Sequence, residues 1–379
     1  MTDATDDLAA RTLTAAQRHD ALPEDERLVL PKLDWQGVEQ YRPTPMPAAA
    51  KTGGNDANAP LPQADIVVMT WTIAEWAALD HVFCDYDREM TLTDARGHEW
   101  RDGWQPYSRG YYAIRQYMED VYKTYQGGAP SLPDESWGQF RMVGINGLRV
   151  LLVKSAMHLA QDGTGLPLRK FVARICEEAA PKLLLSIGTA GGVREEDALG
   201  CALITNQACF HLIKEFSNAE FNATTVQSQW TPKTQLLAEA QARALQVPGY
   251  PLYPVSPQYP EGSRIAPDTP DSRLKVVTEA PIITTDAFLF GTTRNELQQY
   301  GCIVEMDDAV VGMTCREKAI PFGFVRNVSD PVIDARLPKE VQNAWAGYIY
   351  QERGLFTSYN GALAAWALIA GESDAHAIG

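Results

Sequence analysis

The 379-residue sequence predicts a single α/β domain built on a largely parallel sheet, and three observations carry that reading. Short apolar, β-branched runs lead directly into helical patterns, first over residues 64–70 and 73–79. Residues 148–153, 168–178 and 183–187 read in turn as strand, helix and strand, the order of a parallel crossover. Small or acidic residues follow the predicted strands at their carboxyl ends, where open α/β sheets bind ligands.

Taken in order, residues 1–63 have weak pattern and end in Pro43, Pro45, Pro47 and the stretch KTGGNDANAPLPQ, which predicts an N-terminal arm or linker. The run Ile66-Val67-Val68-Met69-Thr70 is a buried strand, and Ile73 to Leu79 opens a helix. From about 85 to 147 the pattern changes, and ten of the chain's 35 aromatic residues fall between Trp100 and Phe140, which predicts an insertion. Within it Tyr111, Ile114, Met118, Val121, Tyr122 and Tyr125 share one face of a helix over 111–125. Strands follow at 148–153, 183–187 and 202–205, with helices at 168–178 and 233–245. Pro248, Pro251, Pro254, Pro257 and Pro260 recur every third residue, the period of a polyproline II connector, over about 247–272. Strands at 274–278, 282–284 and 303–306, a helix at 308–318, a strand at 322–328 and a helix at 360–369 complete the domain to about residue 372, leaving 373–379 as a tail.

Thirty-three Lys and Arg against 48 Asp and Glu give a net charge of −15. No basic run offsets it, so nucleic acid is not an expected partner. No stretch reaches the roughly 18 apolar residues of a membrane span. The acidic first residues lack the apolar core of a secretory signal, and six scattered cysteines without a C-x-x-C pair suit a reducing compartment. The expected location is the cytoplasm. The six histidines have no metal-ligand spacing, so neither a metal nor an organic cofactor is expected. His158 and His211 lie near strand ends and read more readily as structural residues.

Four stretches remain as carriers of chemistry. Ser186-Ile187-Gly188-Thr189-Ala190-Gly191-Gly192 offers backbone N–H donors and close approach. Thr70 to Glu75 places a carboxylate at a helix start. Val304-Glu305-Met306-Asp307-Asp308 crowds three carboxylates at a strand-to-helix junction, where like charges are costly unless offset. Arg326-Asn327-Val328-Ser329-Asp330-Pro331 ends an apolar strand on a carboxylate. Taken singly, Glu75 or Asp308 also suits a helix N-terminus, and Asp330 a turn before proline.

In combination and in this order, GTAGG, VEMD and VRNVSD resemble the nucleoside phosphorylase/nucleosidase superfamily, in particular its methylthioadenosine/S-adenosylhomocysteine nucleosidase and AMP nucleosidase branches. The resemblance covers most of 64–372. It implies a three-layer α/β/α domain around a central mixed, mostly parallel sheet, decorated by the aromatic insertion and the arm. It also implies that Asp330, oriented by Ser329, protonates or hydrogen-bonds N7 of a purine leaving group, and that Glu75 activates the attacking water. Met306 and Asp307 then hold the sugar, beside Glu305, although the family has Glu where this chain has Asp307. Phe288 stacks on the base, the backbone of Leu289 reads its edge, and Gly188, Thr189, Ala190 and Gly191 form the floor. A core aromatic is the competing reading of Phe288.

Family phosphorylases carry Arg two residues before the first glycine of the glycine-rich stretch, and this chain has Ser186. Their Gly-Asp-Pro-x-Arg loop is replaced by Thr70-Trp71-Thr72-Ile73-Ala74-Glu75. A phosphate dianion would lack those partners and meet Glu75. The prediction is therefore hydrolysis of the N-glycosidic bond of a purine nucleoside or similar compound. Phosphorolysis and a non-catalytic nucleoside-binding protein are the alternatives. A small-molecule nucleoside and, from the family's habit, further copies of the same chain are the expected partners.

Overall fold

The computed structural model describes residues 28–47, 58–96, 101–111, 136–157, 159, 167–247, 273–294 and 296–377. The predicted helix over 111–125, the proline connector and His158 fall, wholly or almost so, outside them.

The central sheet takes shape because its strands are apolar on both faces. β1 (Ile66–Thr70) is buried at every position, and its side chains alternate between two cores. Ile66 and Val68 enter one, Val67 and Met69 the other. The first core is closed by α1 (Ile73–Phe83), through Trp76, Leu79 and Phe83, and by the long C-terminal helix, through Leu355, Phe356 and Leu363. The second is closed by α2 (Pro167–Ala179), through Phe171, Val172 and Ile175, and by the helix Asp308–Glu317, through Val310 and Val311. Helices on both faces of a mixed sheet make a three-layer α/β/α domain.

β1 lies between two parallel neighbours, β3 (Leu148–Ser155) and β4 (Leu183–Gly192). β2 (Gly138–Ile145) runs antiparallel to β3. On the other side of β4 lies the long strand Phe322–Asp330, parallel to it, while the far end of β4 turns to pair antiparallel with Ile303–Glu305. The strands Gln207–Phe210, Ile282–Thr284 and Ile303–Glu305 continue from there in parallel. One strand thus belongs to two parts of the sheet, and the site forms where it passes from one to the other.

The structure revises several sequence-based limits. The glycine-rich stretch is not a turn after a strand, since β4 extends through Gly192. The aromatic insertion ends before 147, because β2 is part of the central sheet. Nor do residues 28–47 form a free arm. Leu28, Leu30, Trp35 and Tyr41 enter the first core, Trp35 packs 5.0 Å from Trp366 between ring centroids, and Thr44–Pro45 pairs with β2. The last helix spans Lys339–Ala377 rather than 360–369. Its first half carries Val341, Trp345 and Ile349 at helical spacing, and Pro338 precedes it as a start signal. Among the described residues no helix is long and apolar enough to cross a membrane.

Candidate active site

A cavity of about 250 Å³ opens at the carboxyl ends of β1, β4 and the strand Phe322–Asp330. It is lined by Glu75, Thr189, Ala190, Gly191, Phe288, Leu289, Glu305, Met306, Asp307, Ser329 and Asp330. Of the twelve predicted site residues only Gly188 is missing from its wall.

Glu75 is fixed by where the chain leaves β1. The strand ends at Thr70, and Glu75 sits in the first turn of α1, buried at 3 % exposure. One oxygen, Oε2, accepts the backbone N–H groups of Trp71 and Thr72, both at 2.8 Å, and the Thr70 hydroxyl at 3.1 Å. The other, Oε1, accepts the N–H of Thr189 at 2.7 Å and its hydroxyl at 2.6 Å. Five donors thus surround its carboxyl group at the start of α1.

Asp330 is placed by a β-bulge. Pairing with β4 runs in step to Val328, opposite Ala190, and then shifts so that Asp330 stands opposite Gly191. The extra residue re-aims the side chain, as bulges commonly do beside functional sites. Its carboxyl lies over Gly191, where an added Cβ would come within 2.9 Å of Oδ2. Burial pushes its pKa up to about 7, only partly opposed by the Ser329 hydroxyl, which donates to Oδ1 at 2.7 Å. The cavity therefore pairs a donor-saturated carboxylate with a carboxyl that holds its proton near neutral pH.

Beneath them lies a charged cluster built around Arg326, a residue that sequence reasoning did not select. Its guanidinium donates through Nε and Nη2 to the two oxygens of Asp308, at 2.8 and 2.6 Å, and Nη2 is 3.0 Å from Glu305. Ser186 donates to Asp308 at 2.6 Å. Glu305 also accepts the N–H groups of Asp307, at 2.6 Å, and Asp308, as well as the Thr284 hydroxyl. Burial pushes the Glu305 pKa up to about 8, with Asp308 adding to it and Arg326 opposing it. Burial works against the charge of Arg326 as well, but Asp308 and Glu305 outweigh it and raise its pKa. The crowded carboxylates are thus offset by one buried cation and by backbone amides.

That arrangement explains Gly188, which lies behind the cavity. A Cβ there would stand 2.6 Å from Arg326 Nη1 and 3.0 Å from the Glu75 carboxyl, so only glycine lets cation and carboxylate approach. Asp307 is buried and accepts the Leu159 N–H at 3.0 Å through Oδ1. Phe288 is 59 % exposed at the cavity edge, so the core-aromatic reading fails. Asp286 is not in the wall. It accepts the N–H groups of Ile213, Lys214 and Phe216 and holds that loop.

Trp71, Gly347 and Tyr350 line the cavity and were not foreseen. The last two come from the first half of the C-terminal helix. A carboxyl-rich strand end next to an Arg in a neighbouring apolar strand was the available signal for Arg326. Among the described residues no cluster of His, Cys, Asp and Glu could hold a metal ion.

A mixed-sheet α/β/α domain with carboxyl groups gathered at its strand ends defines a class, and comparison with known proteins gives the family. The phosphorylase superfamily model matches residues 116–347, more than half of the chain. The chain belongs to the phosphorylase superfamily. The match takes in β4 and Asp330 but begins after Glu75. Among solved structures, the chain is similar to the 5′-methylthioadenosine/S-adenosylhomocysteine nucleosidase of Neisseria meningitidis, at 15% identity over 80% of this chain and 98% of that one, with a TM-score of 0.41. For the corresponding S. pneumoniae nucleosidase the values are 13%, 81%, 99% and 0.44. For the futalosine hydrolase of Helicobacter pylori they are 11%, 80%, 96% and 0.43. Comparison with curated proteins gives no match.

Proposed function

We propose that the protein hydrolyses the N-glycosidic bond of a purine nucleoside or a close analogue, without a metal or organic cofactor. The observation that carries this reading is the pairing, in one cavity, of Asp330 with a pKa of about 7 and Glu75, whose carboxyl oxygens accept five hydrogen bonds. Departure of a purine base is assisted by a proton, and an acid whose pKa lies near the working pH is the most effective donor. Asp330 is that acid, with Ser329 fixing one oxygen so that the other faces the base. Glu75 is the base. The Thr189 hydroxyl on Oε1 is the contact that an attacking water would share or replace, and a carboxylate there takes the water's proton as the bond to the sugar breaks.

Phe288 and the backbone of Leu289 form the base site, and Met306 and Asp307 the sugar site. Gly191 leaves the space in which Asp330 sits. Arg326 stabilises charge at the floor but is engaged by Asp308 and Glu305. That leaves it little capacity for a phosphate dianion, and so favours water as nucleophile over phosphorolysis. We place the enzyme in the cytoplasm as an assembly of identical chains.

Product analysis tests the reaction. Purine nucleosides incubated with and without phosphate should give free base and free sugar at the same rate in both. Sugar 1-phosphate would establish the phosphorylase alternative. Tight binding of nucleosides with no product over hours would establish the binding-protein alternative.

A further inference from the structure

A separate cavity of about 300 Å³ lies at the far end of α1 from Glu75 and shares no lining residue with the first. Its wall is polar and brings together three arginines from distant stretches of the chain: Arg88 after α1, Arg101 ahead of the strand Gln105–Tyr107, and Arg141 on β2. The last two meet around Asp80, in the final turn of α1. Asp80 accepts the Trp104 indole N–H at 2.7 Å, and stands farther from Arg141, at 3.3 Å, and from Arg101, at 3.5 Å. The Arg101 side chain is 3 % exposed, nearly as buried as that of Arg326 at 2 %. Arg326 meets carboxylate oxygens at 2.6 to 3.0 Å. By contrast, the one hydrogen bond of Arg101 among the described residues is 3.4 Å long, to the Ala95 carbonyl, and its buried Nε has no acceptor there. The Trp76 ring, 5.3 Å from its Cζ, offsets part of the lost hydration. Burial pushes the Arg101 pKa down, with Asp80 opposing it. Arg141 lies against Gly103, where a Cβ would come within 2.8 Å of its Cζ. It donates through Nη1 to Asp80 and, at 2.5 Å, to the Asp102 carbonyl, while the edge formed by Nε and Nη2 has no acceptor among the described residues. Guanidinium groups withdrawn from water and short of acceptors are costly unless an anion joins them.

We propose that this cavity is a second ligand site, which binds a phosphoryl group between Arg101 and Arg141 with Arg88 at its mouth. One carboxylate, Asp80, serves both inner cations, so the inner wall is short of one negative charge. The other acidic groups do not make up the difference. Asp85 is engaged by Arg88, and the Asp102 residue is exposed, where water screens its carboxylate. Burial, with Asp80 adding to it, keeps the Cys84 thiol protonated and uncharged. The free edge of Arg141 is a fork of two parallel donors, which matches two oxygens of one anion. A carboxylate would be used up by that edge. A phosphoryl group has a third oxygen to offer Arg101, and this favours it as the ligand. The site does not depend on the reaction assigned to the first cavity, with which it shares no residue.

Titration calorimetry at fixed ionic strength tests this, with inorganic phosphate, phenyl phosphate and acetate as probes. The full chain is compared with Arg141→Met and Arg141→Lys. The wild type should bind a phosphoryl probe saturably and at least about tenfold more tightly than acetate, as an additional charge-assisted hydrogen bond implies. Arg141→Met should lose at least about tenfold in that affinity. Arg141→Lys keeps the cation but not the fork, and should lose about threefold or more. Tighter binding of phenyl phosphate marks a phosphate monoester as the ligand, and tighter binding of inorganic phosphate marks the free ion; either supports the site. Absence of saturable binding of both by the wild type overturns the proposal and needs no variant to fold. Acetate binding as tightly as the phosphoryl probes overturns the choice of ligand. Affinity unchanged in Arg141→Met places the anion elsewhere, the first cavity included, and overturns the site. Arg141→Lys, which leaves a cation beside Asp80, is read in the same way where Arg141→Met does not fold.

Discussion

Replacing Asp330 by Asn should remove base release and at the same time stabilise the protein, by an amount that grows with pH. Burial raises the Asp330 pKa from the ordinary 3.8 to about 7. The folded state therefore holds this proton more tightly than the unfolded chain does. Its stability falls as pH rises from 3.8 and levels off above about 7. At about 1.4 kcal/mol per pH unit, ionisable Asp330 costs about 2 kcal/mol at pH 5 and about 4 kcal/mol at pH 8. Asn is nearly isosteric, keeps an oxygen to accept the Ser329 hydroxyl, and carries no charge to desolvate. Urea denaturation of both proteins at the two pH values is the assay. Asp330→Asn should be the more stable, with an advantage larger by about 2 kcal/mol at pH 8, while base release falls by at least about a hundredfold. An equal difference at both pH values, or a less stable variant at pH 8, would refute the argument that burial holds Asp330 protonated.

Three further outcomes follow from the same geometry. The kcat/KM of the wild type should decline above about pH 7, because Asp330 must carry its proton, and a profile flat to pH 9 would count against it as the acid. Gly191→Ala puts a methyl group 2.9 Å from Asp330 Oδ2 and 3.1 Å from Val304 Cγ1. Activity should drop at least about tenfold through misplacement of the acid, with an unchanged circular dichroism spectrum. Full activity would separate Asp330 from the chemistry. Arg326→Met leaves Asp308 and Glu305 buried without their cation. A stability loss of about 3–5 kcal/mol is expected in thermal or urea unfolding, and an unchanged midpoint would show that the backbone amides alone sustain both carboxyl groups.

Much of the site was legible because its residues lie next to elements with strong local signals. Glu75 follows an unbroken apolar strand and opens a helix, and the stretches around Gly188, Met306 and Ser329 carry short motifs at strand ends. What was not legible depends on partners far apart in sequence. Arg326 looked like one more residue of a buried strand until Asp308, Glu305 and Ser186 converged on it. Phe288 could be core or surface, and its exposure was settled only by the loop on which it stands. Gly347 and Tyr350 stand on the first half of the C-terminal helix, and only the fold brings that half against the strand ends.

The sequence by itself determined the class of fold, because strands buried on both faces and helices with one apolar side leave a layered α/β domain as the stable arrangement. It also determined which carboxyl groups lie at strand ends. The tertiary structure decided what those groups are. Asp330, Glu75 and Glu305 have the same ordinary chemistry, yet a bulge over Gly191 and burial leave the first with a proton near pH 7. The second is fixed in place by five hydrogen-bond donors. The third is divided between Arg326 and backbone amides. Desolvation and hydrogen bonding set these states, and both depend on which atoms meet across the folded sheet rather than on neighbours along the chain.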